Sequence, residues 1–309
     1  MKLPNRTDKE NELRTGSKHA LEKIRENARV VFQEQVAAQT FRLRLESPRI
    51  SAAARAGQFV MLRVRQGNDP LLRRPLSFHR IYADRGEFEI LYRVAGRGTL
   101  VLSQLSPGSQ ASLIGPLGNG FELPVDKTLP VALIAGGIGI APLGELLAQI
   151  LAGRPRTRDV VLFYGARTAS ELLPKQFVSQ FGIPVHFATD DGSFGYNGRV
   201  TKLFEDFTRP DREGFHPVEV YSCGPLAMQY HVAKWALAND VLAQLSLESL
   251  MACGIGACLG CALPAAGSES PETQRFVHVC EDGPIFSAGS IQWNQILVQQ
   301  TPPPTYLFS

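Results

Sequence analysis

Two changes of pattern along this 309-residue sequence predict a multi-domain chain: an antiparallel β-barrel, then a doubly wound parallel α/β sheet, then a small C-terminal domain built around cysteines. The first change is in hydrophobic period. From Arg29 to about Val125 the apolar residues come in short alternating or β-branched runs: RVVFQEQVA, QTFRLRLES, QFVMLRVR, LSFHRIY, EFEILYRV and ASLIG. Six such runs, spaced by Pro, Gly and Asn/Asp turns, predict an antiparallel barrel or sandwich. From Val131 onward VALIAG, VVLFYGA, VHFAT and VEVYSCG are continuously apolar and alternate with helical runs such as APLGELLAQILAG and PLAMQYHVAKWALAN. Strands buried on both faces and separated by helices make a parallel, doubly wound sheet. The second change is in composition, because four of the five cysteines fall between Cys253 and Cys280.

These changes place boundaries at 1–28 for a polar N-terminal arm, 29–126 for the barrel, 127–245 for the α/β domain and 246–309 for the cysteine domain and tail. The arm mixes seven Lys/Arg with five Asp/Glu and suggests no function. Hydrophobic residues at 44% and charged residues at 20% describe an ordinary globular protein, and a net charge of +3 is too small to imply nucleic acid or an anionic membrane. The first twenty residues have no apolar core, so they do not read as a secretory signal. The apolar stretch from Pro130 to Gly153 holds four glycines before its last residue, Pro142, Glu145 and Gln149, and reads as strand, loop and helix rather than as a membrane span. Only Cys223 lies outside the cysteine stretch, the usage expected in a reducing cytosol. A cytoplasmic location is the expectation.

Cys253, Cys258 and Cys261 stand in a C-x4-C-x2-C run, and Cys280 follows after eighteen further residues. That is the ligand order of plant-type [2Fe–2S] proteins. Gly254, Gly256 and Gly260 lie between the ligands, where backbone must wrap closely around inorganic sulfide. A zinc site more often shows two C-x2-C pairs or a Cys/His mixture, and a structural disulfide pair is the other alternative. So small a unit buries little apolar surface, so its metal is expected to hold it together.

In the barrel segment, Arg73-Arg74-Pro75-Leu76-Ser77 fixes the backbone with a proline between an arginine suited to a pyrophosphate and, two residues after that proline, a serine hydroxyl suited to a polar ring atom. Downstream, YRVAGRGTLVLSQL runs from a strand through Gly96 and Gly98 into a helix whose first amides, with Thr99, suit a phosphate. Alone, these fit equally a barrel with Arg- and Gly-rich turns. In the α/β segment AGGIGIAP follows an apolar strand and opens a helix. It is not the G-x-G-x-x-G fingerprint. It gains weight from Cys223-Gly224-Pro225 at the end of a later strand, since parallel sheets bind ligands at their carboxyl ends.

Taken in order, GQFV, RRPLS, YRVAGRGT, GPLGNGF, AGGIGIAPL and YSCGPLAM resemble the ferredoxin–NADP reductase superfamily, with its FAD barrel and nucleotide-binding domain. With the appended C-x4-C-x2-C-x18-CEDGPIF, the chain from roughly Arg29 to Trp293 resembles one branch, the electron-transfer subunits of B-type dihydroorotate dehydrogenases. The resemblance implies that Arg74, Pro75, Leu76, Ser77, Leu91, Tyr92, Arg93, Gly98 and Thr99 hold FAD. It implies that Gly136, Gly137, Gly139, Pro142 and the Cys223-Gly224-Pro225 turn line the NAD site, with Cys223 near the nicotinamide. Tyr92 otherwise reads as a half-buried strand tyrosine and Cys223 as a small buried hydrophobe. The implied partner is an FMN-containing catalytic subunit, in a heterotetramer of two of each, acting in pyrimidine biosynthesis.

A nicotinamide passes two electrons, an iron–sulfur cluster passes one, and a flavin does both, so a chain holding all three converts between them. No general acid or base is expected, and His79 reads as a strand residue. For the nicotinamide, Asp190 and Asp191 after VHFAT point to NADH, while Arg167, near Ser170 and Glu171, need not read a 2′-phosphate. The small subunit of another flavin/iron–sulfur complex, of the NADH-dependent ferredoxin reductase or sulfhydrogenase type, is the alternative. A non-catalytic redox sensor is the alternative from another class. The apolar tail IQWNQILVQQTPPPTYLF either packs within the chain or covers a partner.

Overall fold

The computed structural model describes residues 23–65, 67–209, 211, 214–267 and 273–299. Most of the expected arm and the last ten residues of the tail lie outside them.

Six antiparallel strands close into a barrel in the order β1-β2-β5-β4-β3-β6: β1 (Ile24–Ala37), β2 (Thr40–Glu46), β3 (Phe59–Arg63), β4 (Arg74–Tyr82), β5 (Glu87–Arg93) and β6 (Gln110–Leu117). The long β1 closes it, pairing β6 through its first half and β2 through its second. β1 begins at Ile24, inside the stretch expected to be a polar arm. Ile24 and Ala28 are buried while Arg25, Asn27 and Arg29 face water, a period of two that the charges conceal. Val30, Leu43, Leu45, Val60, Leu62, Phe78, Phe88 and Ile90 fill the interior. Short helices α1 (Pro48–Ala53) and α2 (Arg97–Leu102) complete this part.

The second part is a seven-stranded sheet in the order β10-β9-β8-β7-β11-β12-β15, the last of them, Ile285–Ser287, coming from the cysteine region. Its parallel strands are β7 (Val131–Gly136), β8 (Val160–Ala166), β9 (Val185–Thr189), β10 (Tyr196–Asn197), β11 (Glu219–Cys223) and β12 (Leu242–Ser246). Helices α3 (Ile140–Leu151), α4 (Lys175–Ser179), α5 (Val200–Phe207) and α6 (Leu226–Ala238) connect them. β8 and β9 extend the sheet to one side of β7, and β11 and β12 extend it to the other. The chain therefore reverses its winding between β7 and β11, which is where such sheets open a ligand crevice.

The cysteine region contributes the two-stranded β13 (Ala262–Pro264) and β14 (Phe276–His278), the strand β15 (Ile285–Ser287) and the helix α7 (Trp293–Gln299). β15 adds antiparallel to β12, extending the α/β sheet. Leu263, Val279, Ile291, Trp293 and Ile296 are buried in one continuous core with Phe59 and Met61 of the barrel and Val220 and Val232 of the α/β part. The region thus borrows a core from its neighbours instead of depending on metal alone. The described part of the tail packs within the chain.

Candidate functional site

The three sequence-predicted constellations stand one in each part of the molecule. In the barrel, Arg74, Pro75, Leu76 and Ser77 are half-buried at the start of β4. A Cβ placed on Gly98 would lie 2.1 Å from Arg74 Nε, so the guanidinium packs directly on Gly98 in the first turn of α2. Two motifs separated by twenty residues in sequence therefore share one surface. Arg74 donates to the Leu72 carbonyl and has no carboxylate partner among the described residues, which leaves charge for a pyrophosphate. The Ser77 hydroxyl is likewise without a partner among them. Thr99 is occupied locally, its Oγ1 accepting from the Ala95 and Gly96 amides at 2.9 and 3.2 Å.

The remaining predicted flavin residues separate by parity along β5. Tyr92 points into the barrel, 2% exposed, stacked on Phe41, with its hydroxyl donating to Gln33 Oε1 at 2.8 Å. Leu91 faces the α/β core. Arg93 donates to both Glu171 oxygens at 2.7 and 3.2 Å. The arginine expected beside a flavin thus ties the barrel to the second domain. Glu171 also accepts from Arg167, and hydrogen bonds from these two arginines hold its carboxyl at about 2.

At the switch point the glycine loop and the Cys223 turn press together. A Cβ on Gly139 would lie 2.1 Å from the Cys223 carbonyl, and one on Gly136 would lie 2.7 Å from Met228 Sδ. Gly137, at φ +54° and facing open space, exposes backbone at the crevice. Pro142 is buried in the first turn of α3, so it shapes the loop without lining it. Cys223 is buried, and burial followed by the Glu248 charge pushes its thiol far above the usual range. Glu248, two residues beyond the carboxyl end of β12, is exposed, and desolvation by the protein around it raises its carboxyl. Sequence reasoning missed it because β12 was not recognised; a strand beside Cys-Gly-Pro was the available signal. Asp190 is exposed, whereas Asp191 accepts from the amide and hydroxyl of Ser193 at 3.0 and 2.6 Å. The acidic pair therefore offers one free carboxylate.

His79 is buried, and its Nδ1 is 2.9 Å from the Ala141 carbonyl. A carbonyl only accepts, so Nδ1 carries the proton, and burial keeps the ring neutral by lowering its pKa. Next to it Glu145 Oε2 accepts from the Ile81 amide at 2.9 Å and from Arg80 Nε at 3.3 Å. His79 is thus a structural seam residue.

The four clustered cysteines stand as two pairs. Cys261 Sγ lies 3.3 Å from Cys280 Sγ, both buried. Cys253 accepts from the amides of Ile255 and Cys258, each at 3.4 Å, and also pairs with the Cys258 side chain. Cys258 is the exposed member. Burial raises the Cys253 thiol, but the Ile255 and Cys258 amides outweigh it and bring it down to about 7. Burial, then the Cys261 bond, pushes Cys280 up to about 12. Gly254 and Gly256 have φ of +71° and +82°, which glycine alone adopts without strain. Two thiol pairs, amide donors aimed at sulfur and no imidazole among them fit a two-iron cluster. The loop rests on the barrel: a Cβ on Gly254 would lie 2.4 Å from Met61 Cγ.

Comparisons with known proteins agree with this division. An oxidoreductase FAD-binding domain model matches residues 27–121, an oxidoreductase NAD-binding domain model matches 133–234, and the iron–sulfur cluster binding domain of dihydroorotate dehydrogenase B matches 248–292. The dihydroorotate dehydrogenase B (NAD(+)) electron transfer subunit of Desulforamulus reducens is 36% identical over 86% of this chain and 98% of its own length. That of Geobacillus thermodenitrificans is 38% identical over the same shares. Among solved structures, the NADH-dependent reduced ferredoxin-NADP oxidoreductase, described for flavin-based electron bifurcation, superposes with a TM-score of 0.74 at 26% identity, covering 88% of this chain and 91% of that one. A ferredoxin reductase of carbazole 1,9a-dioxygenase, at 21% identity and a TM-score of 0.60, shares the fold. This chain is an oxidoreductase subunit with FAD-, NAD- and iron–sulfur-binding domains, and it belongs to the family of dihydroorotate dehydrogenase B (NAD(+)) electron transfer subunits.

Proposed function

We propose that this chain takes electrons from the FMN of a separate dihydroorotate-oxidising subunit, through the four-cysteine site and a bound FAD, to NAD+, as a step of pyrimidine biosynthesis. One observation carries the reading. Met61 touches Gly254 of the cysteine loop with its side chain, and its backbone pairs directly with Pro75 of the flavin motif across β3 and β4. Paired strands lie about 5 Å apart, so a single strand separates the two redox sites.

A flavin bound at the barrel supplies the interchange between hydride transfer and one-electron steps. This chain's residues bind and orient. Arg74 and the Gly98 turn hold the pyrophosphate, and Ser77 offers its hydroxyl to the ring. Gly136, Gly137 and Gly139 let the nicotinamide nucleotide approach backbone amides, and Cys223 with Gly224 and Pro225 walls the crevice. Asp190 accepts from the ribose hydroxyls, favouring NADH, while Arg167 is engaged by Glu171. Cys253, Cys258, Cys261 and Cys280 ligate the cluster, with Cys258 on the side that faces the partner. The complex is a heterotetramer of two of each subunit.

The test is reduction of NAD+ by dihydroorotate with the purified catalytic subunit, in the presence and absence of this chain. Coupled turnover that needs both chains is expected. A Cys258→Ser variant should keep FAD and NADH-to-dye activity yet lose coupling. If the holoprotein exchanges electrons only with a soluble ferredoxin, the reading is wrong. The structural likeness to an NADH-dependent ferredoxin oxidoreductase then favours the second reading, a ferredoxin reductase subunit.

A further inference from the structure

The barrel wall beneath the cysteine loop carries an unbalanced group of cations. Lys23, Arg25 and Asn27 face outward around the start of β1. Arg25 pairs in register with Ile114 of β6, and Arg63 of β3 pairs with Ser112. Arg73 reaches across this face: Nη1 donates to the carbonyls of Ser112 and Met61 at 2.6 and 3.3 Å, and Nη2 donates to Ser112 Oγ at 3.1 Å. Burial, then the nearby charges of Arg25 and Arg63, lowers the Arg73 pKa, so the three guanidinium groups share one field. None of the three has a carboxylate partner among the described residues. Lys23 alone reaches one, Glu281 at 3.9 Å, while its Nζ donates to the Ile255 carbonyl in the cysteine loop at 3.1 Å.

The contrast with other arginines of the barrel is sharp. Arg42 and Arg44 of β2 pair with Glu34, Glu87 and Glu89, and Arg65 and Arg97 share Asp69. Like charges left together in the free chain repel, and an opposing surface removes that penalty. Exposed apolar side chains border the group: Leu71 and Leu72 precede Arg73, and Leu250 and Leu259 flank the cysteine loop. Exposed apolar side chains set beside charged ones suit a protein interface. Arg73 is already held by hydrogen bonds, so little rotamer freedom is lost on docking.

We propose that Arg25, Arg63 and Arg73 form a docking site for an acidic surface of the catalytic subunit, which they steer onto the cysteine loop. This rests on the function proposed above, and it adds the chemistry of the partner's surface. The test uses the reconstituted holoprotein and measures association with the catalytic subunit over a range of salt. Wild type should associate faster at low salt, and the R25E/R63E variant should associate on the order of tenfold more slowly there, with a flattened salt dependence. FAD content, cluster absorbance and NADH-to-dye turnover should not change. R158E, which reverses an exposed arginine remote from the loop, should behave as wild type. If R25E/R63E keeps the wild-type rate and salt slope, the docking site is wrong while the function stands. If wild type does not associate with the catalytic subunit at all, the function fails and the docking proposal falls with it. If the variant instead loses binding to vesicles containing anionic lipid while subunit association is unchanged, the cations serve a membrane surface and the proposal is overturned.

Discussion

The barrel meets its two neighbours with a different balance of contacts. Against the α/β domain it adds to apolar packing, such as that of Leu91, a set of directional side-chain contacts: His79 with the Ala141 carbonyl, Glu145 with the Ile81 amide and Arg80, and Arg93 with Glu171. Against the cysteine region its polar contacts stay at the rim, Lys23 with Ile255 and Asn119 with Asp282, and the weight falls on Phe59, Met61 and Leu117, which enter the same apolar core as Cys261, Cys280 and Trp293. Hydrogen bonds fix angle, whereas apolar packing fixes proximity without strong directionality. Hydride transfer between two rings needs a defined approach, but electron tunnelling to a cluster needs closeness. Each seam has the physics its transfer requires.

The apolar seam offers the largest effect. Met61 is fully buried and touches the cysteine loop, so Met61→Ala should lower stability by about 2–5 kcal/mol and reduce cluster content per chain. NADH-to-dye turnover in the molecules that retain FAD should be nearly unchanged. Urea midpoints together with cluster absorbance check this. A variant with a wild-type midpoint and a full cluster would break the comparison.

The polar seam should fail differently. Glu145→Ala strands the Ile81 amide and Arg80, at about 1–3 kcal/mol. The cluster spectrum should stay the same while NADH-to-dye turnover falls, because the two domains lose a fixed angle. Loss of cluster without loss of turnover would reverse the assignment of the two seams.

Acid should loosen the polar seam before the apolar one. Burial lowers the pKa of His79, and of His186 between Phe163 and Phe207. An unfolded histidine titrates near about 6.5. The unfolded chain then binds more protons below that pH, so stability is full above it and falls as pH drops through it. His79→Gln should flatten part of this slope in unfolding experiments between pH 7 and 5. An unchanged slope would remove His79 from the cause.

How much of this was legible from sequence follows the same division. The cysteine spacing, the R-P-x-S run and the glycine loop are local patterns, and each finds a close neighbour in the fold: Arg74 against Gly98, Gly139 against Cys223, and Gly254 of the cysteine loop against Met61. Three things were hidden. The start of β1 is masked by Arg25, Glu26 and Arg29, because a barrel strand keeps only one face apolar. β12, with the sequence LAQLS, has leucine-rich, helix-favouring composition and is a strand only because β11 and β15 flank it. The second role of Arg93 depends on Glu171, seventy-eight positions away, and no short-range pattern reports such a pair.

The smallest effect tests how that pair divides its work. Glu171 binds Arg93, which is 25% exposed, and Arg167, which is 70% exposed. Its carboxyl is depressed from 4.5 to about 2, so the stability it contributes is present above about 4.5 and lost as pH falls toward 2. An exposed i,i+4 pair is worth at most about 0.5 kcal/mol after screening, so the half-buried bridge from the barrel should dominate. Arg167→Ala should therefore lower stability by no more than that, leave most of the acid slope in place and leave the ratio of kcat/KM for NADH and NADPH unchanged. Arg93→Ala should remove most of the slope. If Arg167→Ala instead selectively lowers NADPH turnover, its guanidinium reads the nucleotide phosphate, and Glu171 joins the two domains through Arg93 alone.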